Sequence, residues 1–405
     1  MSNLTIFCPI HGSIELSPLT IKILNTPEMQ RLRDLKQLGA TYLVFPSGTH
    51  SRLEHSLGVC YLAMKMGRKL KRVHPELNIS NRLIELFGIA GLIHDIGHGP
   101  FSHLYDHYIR DESEPEHEER GLKIFKNLCE REKLELSQEE IDEICKMVNP
   151  EGDDIYNWKY QIVANKSCDI DVDKIDYIQR DSYHLGISHT GELNRLVKLI
   201  RINKTDKGNE ITWDKKLEFD IYSLFSNRYR LHKQVYKHHT ICSFEYIIIK
   251  IMKKLKERIG IKLANATDSI ITQYCYENIQ DELSKGILYR LHPHMYKQLV
   301  LKKNNKEYEK GFIGYADNII IEFIKIGFVS GDRQNPLELV NYYNGKEEYP
   351  NKTFKLAPGE TSFIITNQFQ EVIMRMYTLD DDKIDEEDLE KKWNKLKDSQ
   401  NEINY

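Results

Sequence analysis

Ile93-His94-Asp95-Ile96-Gly97-His98-Gly99-Pro100-Phe101-Ser102-His103 is the stretch that decides the fold. The residues leading into it, Arg82 to Asp95, are apolar nearly all round, which predicts a buried helix. Gly97, Gly99 and Pro100 end that helix. His94 and Asp95 therefore sit at the end of a buried element. An ionised carboxylate beside imidazole is costly there unless something compensates. A divalent metal compensates, because it takes neutral imidazole nitrogen and carboxylate oxygen together. A doublet alone reads more often as a hydrogen-bonded core pair. Two further stretches shift the balance. Ser51-Arg52-Leu53-Glu54-His55-Ser56-Leu57-Gly58 puts a histidine at the start of a helix, and Ile170-Asp171-Val172-Asp173-Lys174-Ile175-Asp176-Tyr177 supplies an aspartate cluster.

Outward from this centre, Thr26 to about Asp181 reads mainly as helices. Pro27 suits a first helical turn, Met29, Leu32, Leu35 and Leu38 recur at helical spacing, and Gly39 closes the segment. Glu54 to Leu70 is a second helix. Asn194 to Lys216 alternates around Asp206-Lys207-Gly208-Asn209, a hairpin pattern. Tyr222 to Leu263 is helical again. Strands are expected at Ile319–Phe328, Leu339–Tyr343 and Ser362–Thr366. The charged end, from Asp380, carries Ile384, Leu389, Trp393 and Leu396 on one side of a packing helix. The expected fold is mainly α: a helical domain over residues 1–300, with a short hairpin near 197–216, and a smaller α+β lobe over 301–405 that ends in a charged helix.

The 405 residues carry a formal net charge of −4. That disfavours nucleic acid as the main partner, although Lys250, Lys253, Lys254, Lys256 and Arg258 form one basic stretch, read first as a solvated helix face. Seven scattered cysteines without a CxxC pair read as reduced thiols. No apolar run approaches a membrane span. The expectation is a soluble cytoplasmic protein.

The matching text is extensive. It comprises Pro9-Ile10-His11-Gly12-Ser13-Ile14-Glu15-Leu16, Arg31-Leu32-Arg33-Asp34-Leu35-Lys36-Gln37-Leu38-Gly39, Glu54-His55-Ser56-Leu57-Gly58-Val59, and the run from Ile89 through His103. Asp171 to Tyr177 and Asp181 complete it. Together these resemble the deoxynucleoside triphosphate triphosphohydrolase branch of the HD superfamily. The resemblance is strongest to its vertebrate members, without their N-terminal sterile alpha motif. It runs from about residue 8 to residue 245 and resumes at Asn335-Pro336-Leu337 and Val340-Asn341-Tyr342-Tyr343.

The resemblance implies His55, His94, Asp95 and Asp173 as ligands of a divalent transition metal (iron, manganese, zinc or nickel), with magnesium accompanying the nucleotide. On the residues alone Asp171 competes with Asp173; the family's Asp-Lys step, matched by Asp173-Lys174, selects the latter. Asp171 and Asp176 otherwise read as caps or surface pairs. The resemblance also places His98, Asp106 and His117 by the α-phosphate and His103 on the leaving-group side. Which of His98 and His103 delivers the proton stays open. For His117 an exposed loop residue is the bland alternative, and His74 and His107 read as ordinary surface residues.

Arg52, Lys174 and Arg228 match triphosphate contacts. Gln37 and Asp181 match partners of the 3′-hydroxyl, Leu38 and Tyr236 pack against the 2′ carbon, and Tyr177 touches sugar and phosphate. Arg228, His232 and Tyr236 stand at i, i+4 and i+8, which predicts one helix face. The implied substrates are deoxynucleoside triphosphates.

Vertebrate members are assembled by nucleotide activators, and homo-oligomerisation as a dimer or tetramer is implied here. Gln30, Arg33, Arg201, Lys216 and His238 match activator contacts. Asn25 stands where the family has a guanine-reading aspartate, and Leu4 where it has a lysine. A carboxylate accepts from both guanine donors, whereas an amide has one acceptor oxygen. Activation by guanine, activation by another nucleotide and constitutive activity all remain open. Two other functions stand beside the main one: an HD hydrolase acting on another phosphoester, and a nucleotide sensor or single-strand binder.

Overall fold

The computed structural model describes residues 3–301, 306–315, 317–329, 334–346, 352–357, 360, 368–379 and 383–401. A hairpin of β1 (Leu4–Cys8) and β2 (Gly12–Leu16) precedes α1 (Pro18–Leu24) and α2 (Pro27–Arg31). The long α3 (Arg52–Val73) packs on α4 (Asn81–Ile93), and the short α5 (His103–Tyr108) leads to α6 (His117–Arg131) and α7 (Gln138–Val148). Then come α8 (Val172–Leu185), α9 (Asn194–Lys198), β3 (Ile200–Lys204), β4 (Asn209–Asp214), α10 (Glu218–Leu231), α11 (His239–Ile259), α12 (Ser269–Glu277) and α13 (Glu282–Leu288). The last part holds β5 (His294–Leu301), β6 (Ile319–Gly327), β7 (Tyr342–Tyr343), β8 (Thr353–Phe354), β9 (Gln370–Thr378) and α14 (Glu386–Asn401). The architecture is mainly α, as expected.

Local chemistry sets the helix starts that matter for the site. Ser51 and Glu54 form a capping box on α3, Ser80 caps α4, and the Asp171 side chain accepts from the Lys174 backbone to cap α8. The helix expected from Glu28 to Leu38 is shorter. It stops at Arg31, one 3-10 turn follows, and Leu35 is extended. The reason is tertiary: the Arg52 backbone donates to Leu35 and Gln37 donates to the His50 carbonyl, so residues 35–37 lie along the chain entering α3. The helical stretch from Tyr222 is likewise broken, by a π turn over His232–Tyr236 between α10 and α11. His74 is a core residue, since its Nε2 accepts from the Ile202 backbone.

β3 and β4 pair antiparallel, and β4 pairs parallel with β7, giving the order β3-β4-β7-β8. β9 lies between β5 and β6 in a second sheet. Leu389 and Trp393 of α14 are buried against that sheet with Met374 and Met376. The expected strand Ser362–Thr366 lies outside the described residues. Val340, Tyr342 and Leu356 bury into the main core formed by α3, α4, α8 and α10. All seven cysteines are buried free thiols. No described helix is long and apolar enough to cross a membrane. The basic stretch on α11 is partly neutralised: Lys254 pairs with Asp281, and Lys256 with Asp111 and Glu114.

Candidate active site

The ends and faces of α3, α4 and α8 meet at one point. His55 Nε2 lies 3.2 Å from His94 Nε2, and Asp173 Oδ1 lies 3.0 Å from the first and 3.7 Å from the second. The far nitrogens are already committed. His55 Nδ1 donates to Asp176 Oδ2 at 2.8 Å, and His94 Nδ1 donates to the Gly91 carbonyl at 2.8 Å. These partners are acceptors, so each Nε2 is the ring nitrogen left facing the other. Two imidazole nitrogens and a carboxylate oxygen converging within 4.8 Å fit a divalent transition metal, which would take the place of any proton they hold. Asp95 is adjacent: its Oδ1 is 3.4 Å from His94 Nε2, and its Oδ2 is 3.9 Å from His55 Nε2 and paired with Arg52.

Electrostatics agree with a cation site. Burial works to lower the His55 pKa, yet the hydrogen-bonded carboxylates of Asp173 and Asp176 raise it to about 10. Burial works to raise Asp95, but Arg52, His94 and His98 hold it well below the usual carboxylate range. Asp171 accepts from the Lys174 backbone and ammonium, and its reading as a cap is the one observed. Asp176 is no surface pair. It is fully buried and accepts from His55, His11 and Arg180.

Next to Asp95 lies a second group. His98 Nε2 is 3.3 Å from Asp95 Oδ1, and the His98 ring stacks on His117 with centroids 4.1 Å apart. His117 Nδ1 sits 2.7 Å from Asp106 Oδ2, and Arg120 donates to Asp106 Oδ1. His117 is thus the first residue of α6, held from below, and not a free loop residue. His98 Nδ1 is buried without a hydrogen-bond partner among the described residues. His103 stands edge-on to His98 at 5.3 Å and is exposed; His107 packs beside it at 6.0 Å. Burial, Arg52 and His117 push His98 well below the usual histidine value. Gly97 permits this packing: a Cβ there would meet the His117 carbonyl at 2.0 Å.

The cations matched to triphosphate contacts are internally engaged. Arg52 binds Asp95 and, at 2.7 Å, Ser102 Oγ; Lys174 pairs with Asp169 and Asp171; Arg228 donates to the Gly327 carbonyl. Among the residues matched to sugar contacts, Asp181 and Tyr236 meet directly. His50 Nε2 donates to Asp181 Oδ1 at 2.7 Å, and the Tyr236 hydroxyl donates to Oδ2. Gln37 Oε1 is buried without a partner among the described residues. Leu38 and Tyr177 are partly buried beside these segments. His232 and Tyr236 keep an edge-to-face contact at 4.9 Å, although the π turn replaces the regular helix face expected for Arg228, His232 and Tyr236.

Residues 52–181, which span both groups, match the HD domain family. Over 93% of its length the chain is 31% identical to the deoxynucleoside triphosphate triphosphohydrolase SAMHD1 of Gallus gallus, covering 72% of that protein. It is 30% identical to the Homo sapiens SAMHD1 over 91% of this chain and 69% of the relative, and 30% identical to the Dictyostelium discoideum SAMHD1 homolog over 93% and 77%. The chain belongs to the SAMHD1 family. For a SAMHD1-family chain the residues matched to activator contacts are spread over several elements. Gln30 and Arg33 bond each other on the second helix and the turn after it. Arg201 lies over the Tyr343 ring, and Lys216 pairs with Asp214. His238 caps α11, and Asn25 is exposed at the end of α1.

Sequence reasoning missed three site residues of this SAMHD1-family fold: Asp176, His50 and His11. Asp176 lies in the quoted aspartate cluster and His11 in the quoted N-terminal motif, but Asp176 meets His55 and His11 across 121 and 165 residues. His50 carried no local signal beyond its place next to the Ser51 cap.

Proposed function

We propose that this chain hydrolyses deoxynucleoside triphosphates to the deoxynucleoside and inorganic triphosphate, with a divalent metal at His55, His94, Asp95 and Asp173. The observation that carries the reading is the convergence of two imidazole nitrogens and an aspartate next to the His98–His117–Asp106 group, on a chain of this family. A bound metal supplies Lewis acidity and lowers the pKa of water. The protein's residues do the rest.

Arg52, Lys174 and Arg228 bring positive charge to the phosphates, exchanging the internal partners described above for phosphate oxygens. Arg offers a planar fork and Lys a mobile point charge. Asp106 orients His117, which stacks against His98. Burial and Arg52 keep the His98 ring neutral before nucleotide arrives. The negative triphosphate opposes that depression, so a proton is held at His98 or His103 for the departing 5′ oxygen. Asp181, fixed by His50 and Tyr236, accepts from the 3′-hydroxyl, and the unpartnered Gln37 Oε1 offers a second acceptor. Leu38 and Tyr236 close the 2′ side against a ribose hydroxyl. The same resemblance matches Gln30, Arg33, Arg201, Lys216 and His238 to activator contacts in a homo-oligomer, while Asn25 departs from the guanine-reading aspartate and leaves the activator open between guanine, another nucleotide and none.

The test is product analysis with each deoxynucleoside triphosphate and Mn²⁺, alone and in pairs, with ATP and GTP as ribose controls. Deoxynucleoside plus intact triphosphate, lost in His94→Ala, is the expected result. Diphosphate or orthophosphate would point to another HD hydrolase. No turnover by a metal-loaded protein would point to a sensor.

A further inference from the structure

Ala266-Thr267-Asp268-Ser269 precedes α12 and has the look of a helix start, where an aspartate normally caps its own helix. Asp268 does not. Its side chain makes no capping bond to α12. Instead the carboxylate, buried at 2% exposure, reaches two remote segments. Oδ2 accepts from the Lys36 backbone at 2.8 Å, and Oδ1 accepts from the Phe101 backbone at 2.7 Å. The Asp268 backbone adds a bond to the Asp34 carbonyl at 3.3 Å.

Both remote segments border the site. Lys36 precedes Gln37 and Leu38. Phe101 precedes Ser102, which accepts from Arg52, and His103. The Phe101–Ser102 pair has φ of 53° and 52°, a left-handed conformation that side chains with a Cβ adopt only when their surroundings over-determine it. Arg31 reinforces the same junction, donating to the Ile96, His98 and Ala266 carbonyls.

We propose that Asp268 is a positioning residue for the hydrolysis: its two oxygens lock the backbone of Lys36 to that of Phe101 and thereby set the sugar-contact segment against the loop carrying Ser102 and His103. The proposal rests on the function assigned above. Among the described residues, the Asp268 side chain has no hydrogen bond to a metal ligand or to a residue matched to a substrate contact; its only link to Arg52 is electrostatic. Asparagine is not equivalent at this place. It keeps one acceptor oxygen and turns an NH₂ toward a backbone N–H.

The experiment compares wild type, Asp268→Asn and the neighbouring control Thr267→Ala as Mn²⁺-loaded full chains. Amide hydrogen exchange is followed alongside steady-state kinetics with dATP and ATP. In Asp268→Asn, exchange is expected to rise together in peptides spanning 33–38 and 99–104 while the rest of the chain stays protected. The kcat for dATP is expected to fall about 10–100-fold, KM to move far less, and the preference for dATP over ATP to shrink. Thr267→Ala changes none of these. Unchanged exchange in either peptide overturns the proposal. So does raised exchange with wild-type kcat and preference, or a general loss of protection with activity tracking the folded fraction. If wild type releases no triphosphate, the assigned function fails, and the exchange measurement alone then decides whether Asp268 joins the two segments.

Discussion

His55 Nδ1 lies 2.8 Å from Asp176 Oδ2, and Asp176 is completely buried. The same carboxylate accepts from His11 Nε2 at 2.6 Å and from two Arg180 nitrogens at 2.8 and 3.0 Å. This carboxylate holds the His55 ring so that its other nitrogen faces His94 and Asp173, the proposed metal position. Groups of this kind govern metal affinity without touching the metal. Asp176→Asn is expected to weaken Mn²⁺ binding about 10–100-fold while the protein stays folded. Metal titration followed by Mn²⁺ electron paramagnetic resonance checks it; wild-type affinity would refute the role.

Gly58 and Gly97 are the places beside the site where an added Cβ would make its closest approaches. A methyl at Gly58 would meet Asp176 Oδ1 at 2.0 Å and Arg180 at 2.4 Å. A methyl at Gly97 would meet the His117 carbonyl at 2.0 Å and the Gly121 nitrogen at 2.5 Å. Gly97→Ala is expected to push α6 outward and carry His117 away from His98, lowering kcat about 100-fold while metal content stays stoichiometric. Gly58→Ala is expected to lose metal as well as activity. Metal analysis beside kinetics separates the two; equal metal loss in both would show that the glycines act only through overall stability.

Asp106 joins His117 and Arg120, and those partners, working against burial, hold its pKa below the ordinary carboxylate value. A depressed carboxylate stabilises the fold above its unfolded pKa of about 4 and loses that contribution as pH falls through the folded value. Asp106→Asn should therefore cost about 1–3 kcal/mol near pH 7. The difference from wild type should shrink below about pH 4. Thermal melts from pH 3 to 7 test this. A difference that grew on acidification would contradict the assigned charge state.

Asp181 has two fixed partners, His50 and Tyr236. Losing either would free the carboxylate to turn away from the proposed sugar position. Tyr236→Phe and His50→Ala are each expected to lower kcat/KM for dATP about 10-fold or more and to narrow the margin over ATP, because a site built to pair a hydroxyl loses its selectivity when its own polar groups are left unmatched. Parallel kinetics with both nucleotides decide the matter. An unchanged ratio in both variants would remove Asp181 from sugar selection.

Much of this arrangement was legible in the residues. The apolar helix ending in His94-Asp95, the capped start of α3 before His55, and the Asp171–Asp173 step each lie within a few consecutive residues, where periodicity, capping and breaker chemistry operate. So does the mainly α character. Tertiary structure decided the partners. The helix after Pro27 stopped at Arg31 because residues 35–37 found backbone partners near His50 and Asp268, and tertiary hydrogen bonds outweigh intrinsic helix preference. Asp176 became the support of His55, His50 the support of Asp181, and Asp268 the tie between Lys36 and Phe101, across separations of 121, 131 and 167 residues for the side-chain bonds concerned. Nothing in the neighbourhood of a buried carboxylate says which distant donor it will meet. That choice is made when the helices pack and every buried polar group must find a partner.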